Sequence, residues 1–358
     1  MVSLIDHKIL YEKNPDLPLN PASNMKLVTM AAALRALGPD FTFKTEFYAN
    51  HLMNKEGRLG PLWIKGYGDP LFITEELEDL VQRFVTSGLQ EIQGPLYVDD
   101  TYFDHYNLTT YLSDTNEKLY NIFTGPLSFN FNSVRKHRHQ EGIIDPAIHM
   151  GEAFKEALAQ KGIVVGEGPL RDTVPSHALL ILTHTSPPLK EILKGMGKFS
   201  NNFIAEQLLK GLGVLQKGPP GSTQKGVEVL KNYLHSLGIQ PEAFTIENGS
   251  GLSKAGRLSA AQLISVLEDM YNSPYRNTMI DALSVVGVDG TMKRKMRRSS
   301  LKGNVFVKTG TLNDVRSLSG YLLGEKPVAF VIIFNGPFLP ASRVTRFEEA
   351  FLKKIGMN

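Results

Sequence analysis

The sequence predicts a mixed α/β (α+β) fold, in which one discontinuous domain carries a second domain as an insertion. Three observations indicate this fold class. Strand-like segments lie at both ends of the chain, helical patterns dominate between them, and β-type pieces fill the stretch from about Phe41 to Asn132. We expect a main domain over residues 1–44 and 141–358, and an inserted α/β domain over residues 45–140. A chain of 358 residues that is 42% hydrophobic can bury the cores of both.

The N-terminal segment predicts two short strands and then a helix that begins near Ser23. The strands are VSLID and KILYEKN, and Pro18-Leu-Asn-Pro21 forms the turn before the helix. Gly38-Pro39 ends the helix. Apolar residues at helical spacing indicate that it is buried: Leu27, Met30, Ala31, Leu34 and Leu37. The opening residues show no secretory signal, so we expect that the N-terminus is trimmed or truncated.

The inserted domain is predicted from its β-type segments and one helix. The segments are FKTEFYAN, PLWIKG, GPLYVDD and GPLSFNFNSV, and the helix is ITEELEDLVQRFVTSG. The polar, basic stretch VRKHRHQEG follows, and we interpret it as an exposed junction back to the main domain.

The remainder of the chain predicts a layer of helices and then a group of strands. Apolar stripes at i, i+3 and i+4 mark four helical stretches, most of which end in glycine. NVFVKTG, SLSGYLLG and KPVAFVIIFNG then read as strands, and SRVTRFEEAFLKKIG as a closing helix. Strands at both chain ends predict a sheet that joins the two termini.

Composition excludes several function classes. The chain has no cysteine, which excludes a disulfide scaffold, a thiolate metal site and a cysteine nucleophile. The 39 basic and 36 acidic residues nearly balance, so nucleic acid is not an expected partner. The longest apolar runs, such as VAFVIIF, are far shorter than the roughly 20 residues of a membrane-spanning helix. The histidines show no metal-ligand pairing.

Three short motifs stand in order along the chain: Ser23-Asn-Met-Lys26, Ser200-Asn-Asn202 and Lys308-Thr-Gly310. This triple has the form of the signature of class A β-lactamases and penicillin-binding proteins. The first motif alone is weak, because Ser-x-x-Lys recurs at Ser133, Ser222 and Ser299. Ser23 differs in its context, since an apolar helix begins there and places the serine and the lysine on one face.

The first motif offers a nucleophile and a base. A serine hydroxyl attacks poorly until a base takes its proton, and Lys26 is the local candidate. A free lysine has a pKa of about 10.4, so this role requires a decrease of roughly 3 units. Burial and a second nearby cation, such as Lys308, are the physical means that we expect.

The second and third motifs supply further polar groups. Ser200 and Asn202 offer a hydroxyl for proton relay and an amide for the substrate, although the same residues also read as a helix N-cap. Lys308 and Thr309 on a strand edge can hold a carboxylate, and Gly310 lets a peptide lie close to the backbone. The alternative for Lys308 is an exposed strand lysine before a turn. The backbone amides of Ser23 and Thr311 are the candidate donors to a tetrahedral oxyanion.

With these motifs and several further blocks, the chain resembles the D-alanyl-D-alanine carboxypeptidase/endopeptidase family, the class C low-molecular-mass (type-4) penicillin-binding proteins. The additional blocks are GYGDP, SNNFIAEQLL, ENGSGLSKAGRLS and GVDGTMKRKM. The resemblance implies a penicillin-binding transpeptidase and serine β-lactamase-like fold, in which helices flank an antiparallel sheet. It also implies a covalent acyl-serine intermediate, a peptidoglycan peptide as substrate, inhibition by β-lactams, and a periplasmic or extracellular location. It implies neither a metal nor an organic cofactor.

By matching positions, the resemblance implies that Ser23 is the nucleophile, Lys26 the general base, Ser200 and Asn202 the second catalytic pair, and Lys308 the third-motif lysine. Two departures concern substrate binding. Lys254 replaces an arginine that lies near the substrate's side-chain carboxylate in the family, and it keeps the charge without the planar guanidinium. Asn313 stands where some relatives have glutamine.

The spacing of the motifs predicts a simpler insertion than the family usually has. Ser23 and Ser200 are closer than two nested insertions would allow, and SFNFNSV runs almost directly into IIDPAIHMG. We therefore expect the inner, second insertion to be absent, with RKHRHQ as the shortened junction.

Two alternative functions remain open at this point. A β-lactamase or esterase on the same fold would require rapid deacylation by water, and a non-catalytic peptidoglycan-binding protein would be expected to lack Ser23 or Lys26. The sequence retains both residues. It leaves open the oligomeric state, and the balance between carboxypeptidase and endopeptidase action.

Overall fold

The computed structural model describes residues 1–104, 123–136, 139–143, 145–337 and 340–356. Its helices are α1 (Met25–Leu37), α2 (Thr74–Thr86), α3 (Pro146–Gln160), α4 (Leu189–Lys198), α5 (Asn202–Lys217), α6 (Thr223–Ser236), α7 (Ala260–Tyr271), α8 (Arg276–Asp281) and α9 (Ala341–Gly356). Its strands are β1 (Val2–Ser3), β2 (Lys44–Ala49), β3 (Arg58–Leu59), β4 (Leu62–Gly66), β5 (Glu91–Ile92), β6 (Leu96–Asp99), β7 (Ser133–Lys136), β8 (His139–Gly142), β9 (Val164–Val165), β10 (Leu170–Arg171), β11 (Leu179–Thr185), β12 (Ser284–Val285), β13 (Val305–Leu312), β14 (Val315–Leu322) and β15 (Val328–Asn335).

The described chain divides into two compact units. The first contains residues 1–41, 188–212 and 223–358, and the second contains residues 42–187 and 213–222. None of the helices in the described ranges has both the length and the apolarity that a membrane crossing requires.

The first unit is built on a five-stranded antiparallel sheet with the order β1-β15-β14-β13-β12. The pairing of β1 with β15 joins the two ends of the chain, as the sequence predicts. Val307, Leu318 and Phe330 belong to the apolar core that β13, β14 and β15 share. The sheet and its flanking helices confirm the predicted mixed fold class.

Helix α1 is the buried element that carries the first motif. All residues from Met25 to Leu34 are buried, and α1 packs against α4, α6 and α7. Its alanines and threonine are small enough for close approach on several sides, so the helix needs no wide polar face. Burial of Lys26 in this helix therefore follows from how α1 is packed.

The second unit contains a five-stranded mixed sheet with the order β10-β6-β4-β2-β11. Its core includes apolar residues of α2 and α3, such as Phe84 and Phe154, packed against Phe47 of the sheet. Within this unit, β7 and β8 form a hairpin at the predicted junction. The predicted absence of an inner insertion stays a prediction.

The boundary of the second unit differs from the one predicted at residue 140. Strand β11 pairs with β2 and completes one edge of the sheet, and α3 contributes Phe154 and Leu158 to the same core. Residues 141–187 therefore belong with the second unit. Local periodicity predicts α3, but the sequence analysis missed β11 as a strand, and pairing between strands so distant in sequence decides where both elements dock.

Candidate active site

The first motif places a serine and a lysine in direct contact. A short 3-10 turn, Ala22–Asn24, leads into α1, so Ser23 and Lys26 lie one turn apart on the same side. Lys26 Nζ donates to Ser23 Oγ at 3.1 Å. It also donates to Asn202 Oδ1 and to the carbonyl of Ser250, each at 2.6 Å. These contacts fix the amine beside the serine hydroxyl.

Lys26 and Lys308 are both fully buried, and burial governs their protonation. It lowers the pKa of Lys26 to about 7, while the negative charge of Glu206 acts in the opposite direction. It also holds the pKa of Lys308 well below the ordinary lysine value, with a smaller contribution from the nearby Lys26 cation. A large fraction of Lys26 is therefore a neutral amine near pH 7, the state that can accept a proton.

The second motif connects the first to the third. Lys308 Nζ donates to Ser200 Oγ at 2.8 Å and to the carbonyl of Thr309 at 2.7 Å. Ser200 has a φ of 58°, which is unusual for a non-glycine residue and typical of functional turns. The helix cap lies on Asn201, between the two residues that were the alternative caps, and its Oδ1 accepts from the backbone N–H of Ile204 at 3.1 Å. Capping and the site contacts thus coexist, on different residues.

The third motif lies on a strand with one open edge. Strand β12 pairs with β13 only at Phe306 and Val307, so within the described residues the rest of β13 is paired on one side only, with β14. Lys308 is buried, which excludes the alternative of an exposed strand lysine. A side chain at Gly310 would overlap Ser317 Oγ, so the glycine permits close packing there.

The predicted substrate-binding residues differ in exposure. Thr309 is half-buried and donates its hydroxyl to Thr291 Oγ1 at 2.9 Å. Thr311 is exposed on the open stretch of β13, and Asn313 is exposed in the two-residue turn before β14. The Lys254 side chain is exposed too, while its backbone carbonyl accepts from Asn20 Nδ2 at 3.1 Å. Lys254 therefore contacts Asn20 through its backbone.

Long-range contacts hold the turn before the nucleophile. Asn20 N–H donates to Asn335 Oδ1 at 2.8 Å, and Asn335 Nδ2 donates to the carbonyl of Asn20 at 3.0 Å. Ser317 Oγ donates to the carbonyl of Pro21 at 2.7 Å. Ala22 adopts a φ of 47°, a conformation that such surrounding contacts must maintain. Ser23 is thus positioned by residues from the far end of the chain.

Sequence reasoning missed two groups that position Lys26. Glu206 accepts from the backbone N–H groups of Gly249 and Ser250 at 3.3 and 2.9 Å, and the carbonyl of Ser250 then accepts from Lys26. The spacing of Asn202 and Glu206, one helical turn apart on α5, is the signal that could have identified the glutamate. No local pattern identifies the carbonyl of Ser250, because the backbone of any residue could supply it.

A serine hydroxyl that faces a lowered-pKa lysine, next to a second serine–lysine pair, defines a serine-nucleophile acyl-transfer enzyme. Within the ranges described, no cluster of three or more His, Asp or Glu side chains could hold a metal ion. The model of the D-Ala-D-Ala carboxypeptidase 3 (S13) family matches residues 1–134 and 123–351. The chain belongs to this family. The predicted family and serine-type D-Ala-D-Ala carboxypeptidase class are confirmed.

Named relatives agree with this assignment. The D-alanyl-D-alanine carboxypeptidase of Actinomadura sp. strain R39 is 29% identical, over 93% of this chain and 76% of that protein. The D-alanyl-D-alanine carboxypeptidase DacB of Haemophilus influenzae is 24% identical, over 92% of this chain and 83% of that protein.

Solved structures share the fold at lower sequence identity. Penicillin-binding protein 4 (dacB) of Haemophilus influenzae superimposes with a TM-score of 0.82 at 22% identity, over 99% of this chain and 95% of that one. The predatory peptidoglycan endopeptidase Bd3459 of Bdellovibrio bacteriovorus gives a TM-score of 0.68 at 17% identity, over 99% and 90%. The predicted penicillin-binding fold is confirmed.

Proposed function

We propose that Ser23 is the acylated nucleophile of this peptidase and that Lys26 is its general base. The observation that carries the proposal is the contact of 3.1 Å between Lys26 Nζ and Ser23 Oγ, made by a lysine whose pKa is lowered to about 7. The substrate class is a peptidoglycan stem peptide or cross-link that ends in, or passes through, a D-Ala peptide bond.

In the acylation step, neutral Lys26 takes the proton of Ser23 while Oγ bonds to the carbonyl carbon of the penultimate D-Ala. The C–N bond then breaks, and the proton held by Lys26 passes to the departing amine by way of Ser200, whose hydroxyl is bonded to Lys308. In deacylation, water attacks the ester carbon and neutral Lys26 accepts its proton. Lys26 returns that proton to Ser23 Oγ as the ester C–O bond breaks. Each step therefore begins and ends with Lys26 as a neutral amine.

Substrate binding is proposed along the open stretch of β13. An extended peptide can add to an unpaired strand edge through backbone hydrogen bonds, and β13 beyond Val307 offers such an edge. The backbone N–H groups of Ser23 and Thr311 are the proposed oxyanion donors. Thr309 and Asn313 would contact the leaving residue, and Lys254 would face a side-chain carboxylate of the stem peptide.

β-Lactams are the proposed covalent inhibitors, since their strained amide presents the same kind of carbonyl to Ser23. Two structures with a similar fold contain such compounds. Penicillin-binding protein 4 of Haemophilus influenzae is complexed with a β-lactam, and Bd3459 of Bdellovibrio bacteriovorus is acylated by penicillin G. A substrate in the cell wall places the proposed site of action in the periplasm or outside the cell.

Intact-mass spectrometry after incubation with benzylpenicillin tests the nucleophile. We expect the native chain to gain the mass of one penicillin and Ser23→Ala to gain none. Ser222→Ala is the matched control, because it removes the serine of another Ser-x-x-Lys sequence, Ser222–Lys225, and should still be acylated. An adduct that persists in Ser23→Ala would refute the assignment. Absence of an adduct with the antibiotic hydrolysed would favour the β-lactamase alternative.

The balance between the two peptidase activities requires peptide substrates. We expect release of D-Ala from a pentapeptide ending in D-Ala-D-Ala, and cleavage of a purified cross-linked dimer, both lost in Ser23→Ala. Chromatography of the products separates these activities. If Ser23→Ala retained both activities, the two reactions would not share an acyl-enzyme at Ser23.

A further inference from the structure

A cationic loop follows the GVDGT segment, and the proposed mechanism does not use it. Residues 293–298, here called the basic loop, contain five cations whose side chains are all exposed: Lys293, Arg294, Lys295, Arg297 and Arg298. The whole chain has a net charge of only +3, so this one loop holds more positive charge than the excess of the entire chain. The rest of the chain is slightly acidic, and positive charge is concentrated at one place on the first unit.

Buried side chains within and around the basic loop fix its backbone. Met292, Met296 and Leu301 belong to the apolar core that β13, β14 and β15 share. Met296 has a φ of 53°, a conformation that costs a non-glycine residue free energy and that its burial maintains. The loop also lies against Gly287, where a Cβ would approach Arg297 Cα to 3.3 Å. The cations therefore project from a folded backbone that is anchored in the core.

The positive charge of the basic loop is not neutralised by a carboxylate in direct contact. In the part of the chain that the structure describes, none of the five loop cations makes an ion pair, although the neighbouring Lys198 pairs with Asp289. Burial raises the pKa of Glu348, and the charge of Lys295 acts on it in the opposite direction without an ion pair. Like charges so close in sequence repel each other, and together they attract anions. The loop therefore suits a ligand that carries several carboxylates.

The segment before the basic loop contacts the third motif and the residues before the second. Thr291, two residues before Lys293, has its Oγ1 2.9 Å from Thr309 Oγ1. Gly290 packs so closely on the backbone of Lys198 that a side chain there would overlap its carbonyl oxygen. The basic loop therefore begins next to the proposed substrate-binding edge of β13.

The direction of the substrate along β13 brings its leaving part to the basic loop. In the proposed function, the carbonyl that Ser23 attacks lies at the N–H of Thr311, and the leaving residue contacts Thr309. The substrate thus runs along the strand towards Val307, where Ser284 of β12 already pairs with the edge. A leaving part of more than one residue has to turn away from β13 at that point. It then meets the segment that follows β12 and leads into the basic loop.

We propose that the basic loop binds the acidic leaving stem peptide of a cross-link and so favours endopeptidase over carboxypeptidase action. This inference rests on the proposed function. Carboxypeptidase action releases a single D-Ala, which ends at Thr309. Cleavage of a cross-link releases a whole second stem peptide, whose free carboxylates continue past that point to the loop cations. These ion pairs lie away from the reacting bond, so they lower the KM for a cross-linked substrate and leave kcat unchanged.

The test compares two reactions of one enzyme: release of D-Ala from a soluble stem pentapeptide, and cleavage of a purified cross-linked dimer of the same stem. The variant neutralises four loop cations, Lys293→Gln, Arg294→Gln, Arg297→Gln and Arg298→Gln. We expect kcat/KM for the dimer to decrease roughly three- to thirtyfold through KM, the effect of a few exposed ion pairs. The value for the pentapeptide should stay within about twofold. Lys295 is retained because its charge acts on the buried Glu348.

Lys8→Glu combined with Lys13→Glu is the matched control. Two charge reversals change the net charge as much as four neutralisations do. Both lysines are exposed and lie in the segment after β1, which is at the opposite edge of the sheet from β12. Both reactions of this control should stay within about twofold of native. Thermal unfolding verifies that each variant folds.

Salt provides a second measurement on the native chain, which decides the question if the fourfold variant does not fold. An increase of NaCl from about 50 to about 500 mM screens exposed charges and should lower kcat/KM for the dimer several-fold. Because buried charges are screened much less, kcat/KM for the pentapeptide should change by less than about twofold. Equal salt dependence of the two reactions would contradict a role for the basic loop.

The remaining outcomes separate this inference from the function on which it rests. An unchanged kcat/KM for the dimer in the fourfold variant, or an equal decrease for both substrates, would overturn the role of the basic loop and leave the peptidase assignment intact. Unchanged cleavage of the dimer with lost binding to phosphatidylglycerol vesicles would indicate a membrane contact and overturn it as well. A native chain that releases D-Ala but leaves the dimer intact would overturn this inference alone. A native chain that cleaves neither substrate would overturn the proposed function too.

Discussion

Lys26 in the first unit is fully buried, Lys65 in the second unit is partly buried, and the two amines have different kinds of hydrogen-bond partner. Lys65 Nζ lies 2.8 Å from Asp99 Oδ2, whose carboxylate is fully buried. Lys26 instead donates to a hydroxyl, an amide oxygen and a carbonyl, which are all neutral acceptors. The first arrangement stabilises an ion pair, whereas the second places no opposite charge in direct contact with the amine, so that burial can favour its neutral form.

The pKa values record this contrast. Although burial raises the pKa of Asp99, hydrogen bonds from Lys65 and Thr101 outweigh that effect, and the pKa lies below its ordinary value. Burial of Lys26 has no such compensation except the Glu206 charge, and its pKa is lowered to about 7. A buried lysine without a carboxylate in direct contact has a lowered pKa, and it can then act as a base near pH 7.

The largest difference between variants of Lys26 and variants of Lys65 should appear in the rate of acylation. Arginine keeps the positive charge but cannot be deprotonated, so Lys26→Arg should reduce the rate of benzylpenicillin acylation about 10²- to 10⁴-fold. Lys65→Arg is the matched control, since it retains the ion pair with Asp99, and its rate should remain within about twofold of native. Stopped-flow or quenched mass measurements provide both rates. Rapid acylation of Lys26→Arg would exclude Lys26 as the base.

The second difference concerns how stability depends on pH. The pKa of Lys26 is about 7 in the folded state and 10.5 as the ordinary value, so between these values the unfolded chain binds more protons. The free energy of unfolding of the native chain should therefore rise with pH, relative to that of Lys26→Met, by up to roughly 4 kcal/mol from pH 7 to pH 10. Urea titrations at both pH values measure this. A constant difference would contradict a lowered pKa.

Removal of the Lys65–Asp99 ion pair should lower the stability of the protein without slowing catalysis. Lys65→Met leaves Asp99 buried without its cation, which should lower the free energy of unfolding by about 2–4 kcal/mol at pH 7. The acylation rate per folded molecule should not change, because Lys65 lies outside the first unit. Denaturant titration and penicillin binding are the two measurements. Destabilisation below about 0.5 kcal/mol would mean that the pair contributes little.

The smallest expected effect comes from Glu206. Its charge raises the pKa of Lys26, so Glu206→Gln should lower that pKa further and move the rising limb of the acylation rate to lower pH. The rate at pH 6 should then increase a few-fold relative to the rate at pH 8. Glutamine has one amide oxygen, which can still accept from the backbone N–H of Ser250, whereas the longer bond from Gly249 to the second carboxylate oxygen is lost. A limb that moves to higher pH would contradict this electrostatic role.

The sequence alone predicted α1, the three long strands of the first unit and the members of the three motifs, because periodicity and short motifs are local. It read α4 and α5 as one helical stretch and missed α8 and β12, and the predicted strand KILYEKN makes only an isolated bridge from Ile9 to Val2. The contact of Ser23 with Lys26 follows from helical spacing, and the structure bears this contact out. The hydrogen bond from Lys308 to Ser200 could not be predicted from the sequence, since it depends on how β13 docks beside the loop after α4. The contact of Thr309 with Thr291 was equally hidden, because a pair of hydroxyl side chains carries no distinctive spacing.

The pairing of Asn20 with Asn335 has a consequence for how the enzyme is made. The two residues are 315 positions apart, and the carbonyl of Pro21 accepts a hydrogen bond from Ser317 Oγ, which is 296 positions away. Contacts of such long range form slowly, and they cannot form during synthesis until the ribosome has released residue 335. The turn that presents the nucleophile is therefore completed among the last steps of folding, and a nascent or prematurely terminated chain holds no assembled peptidase.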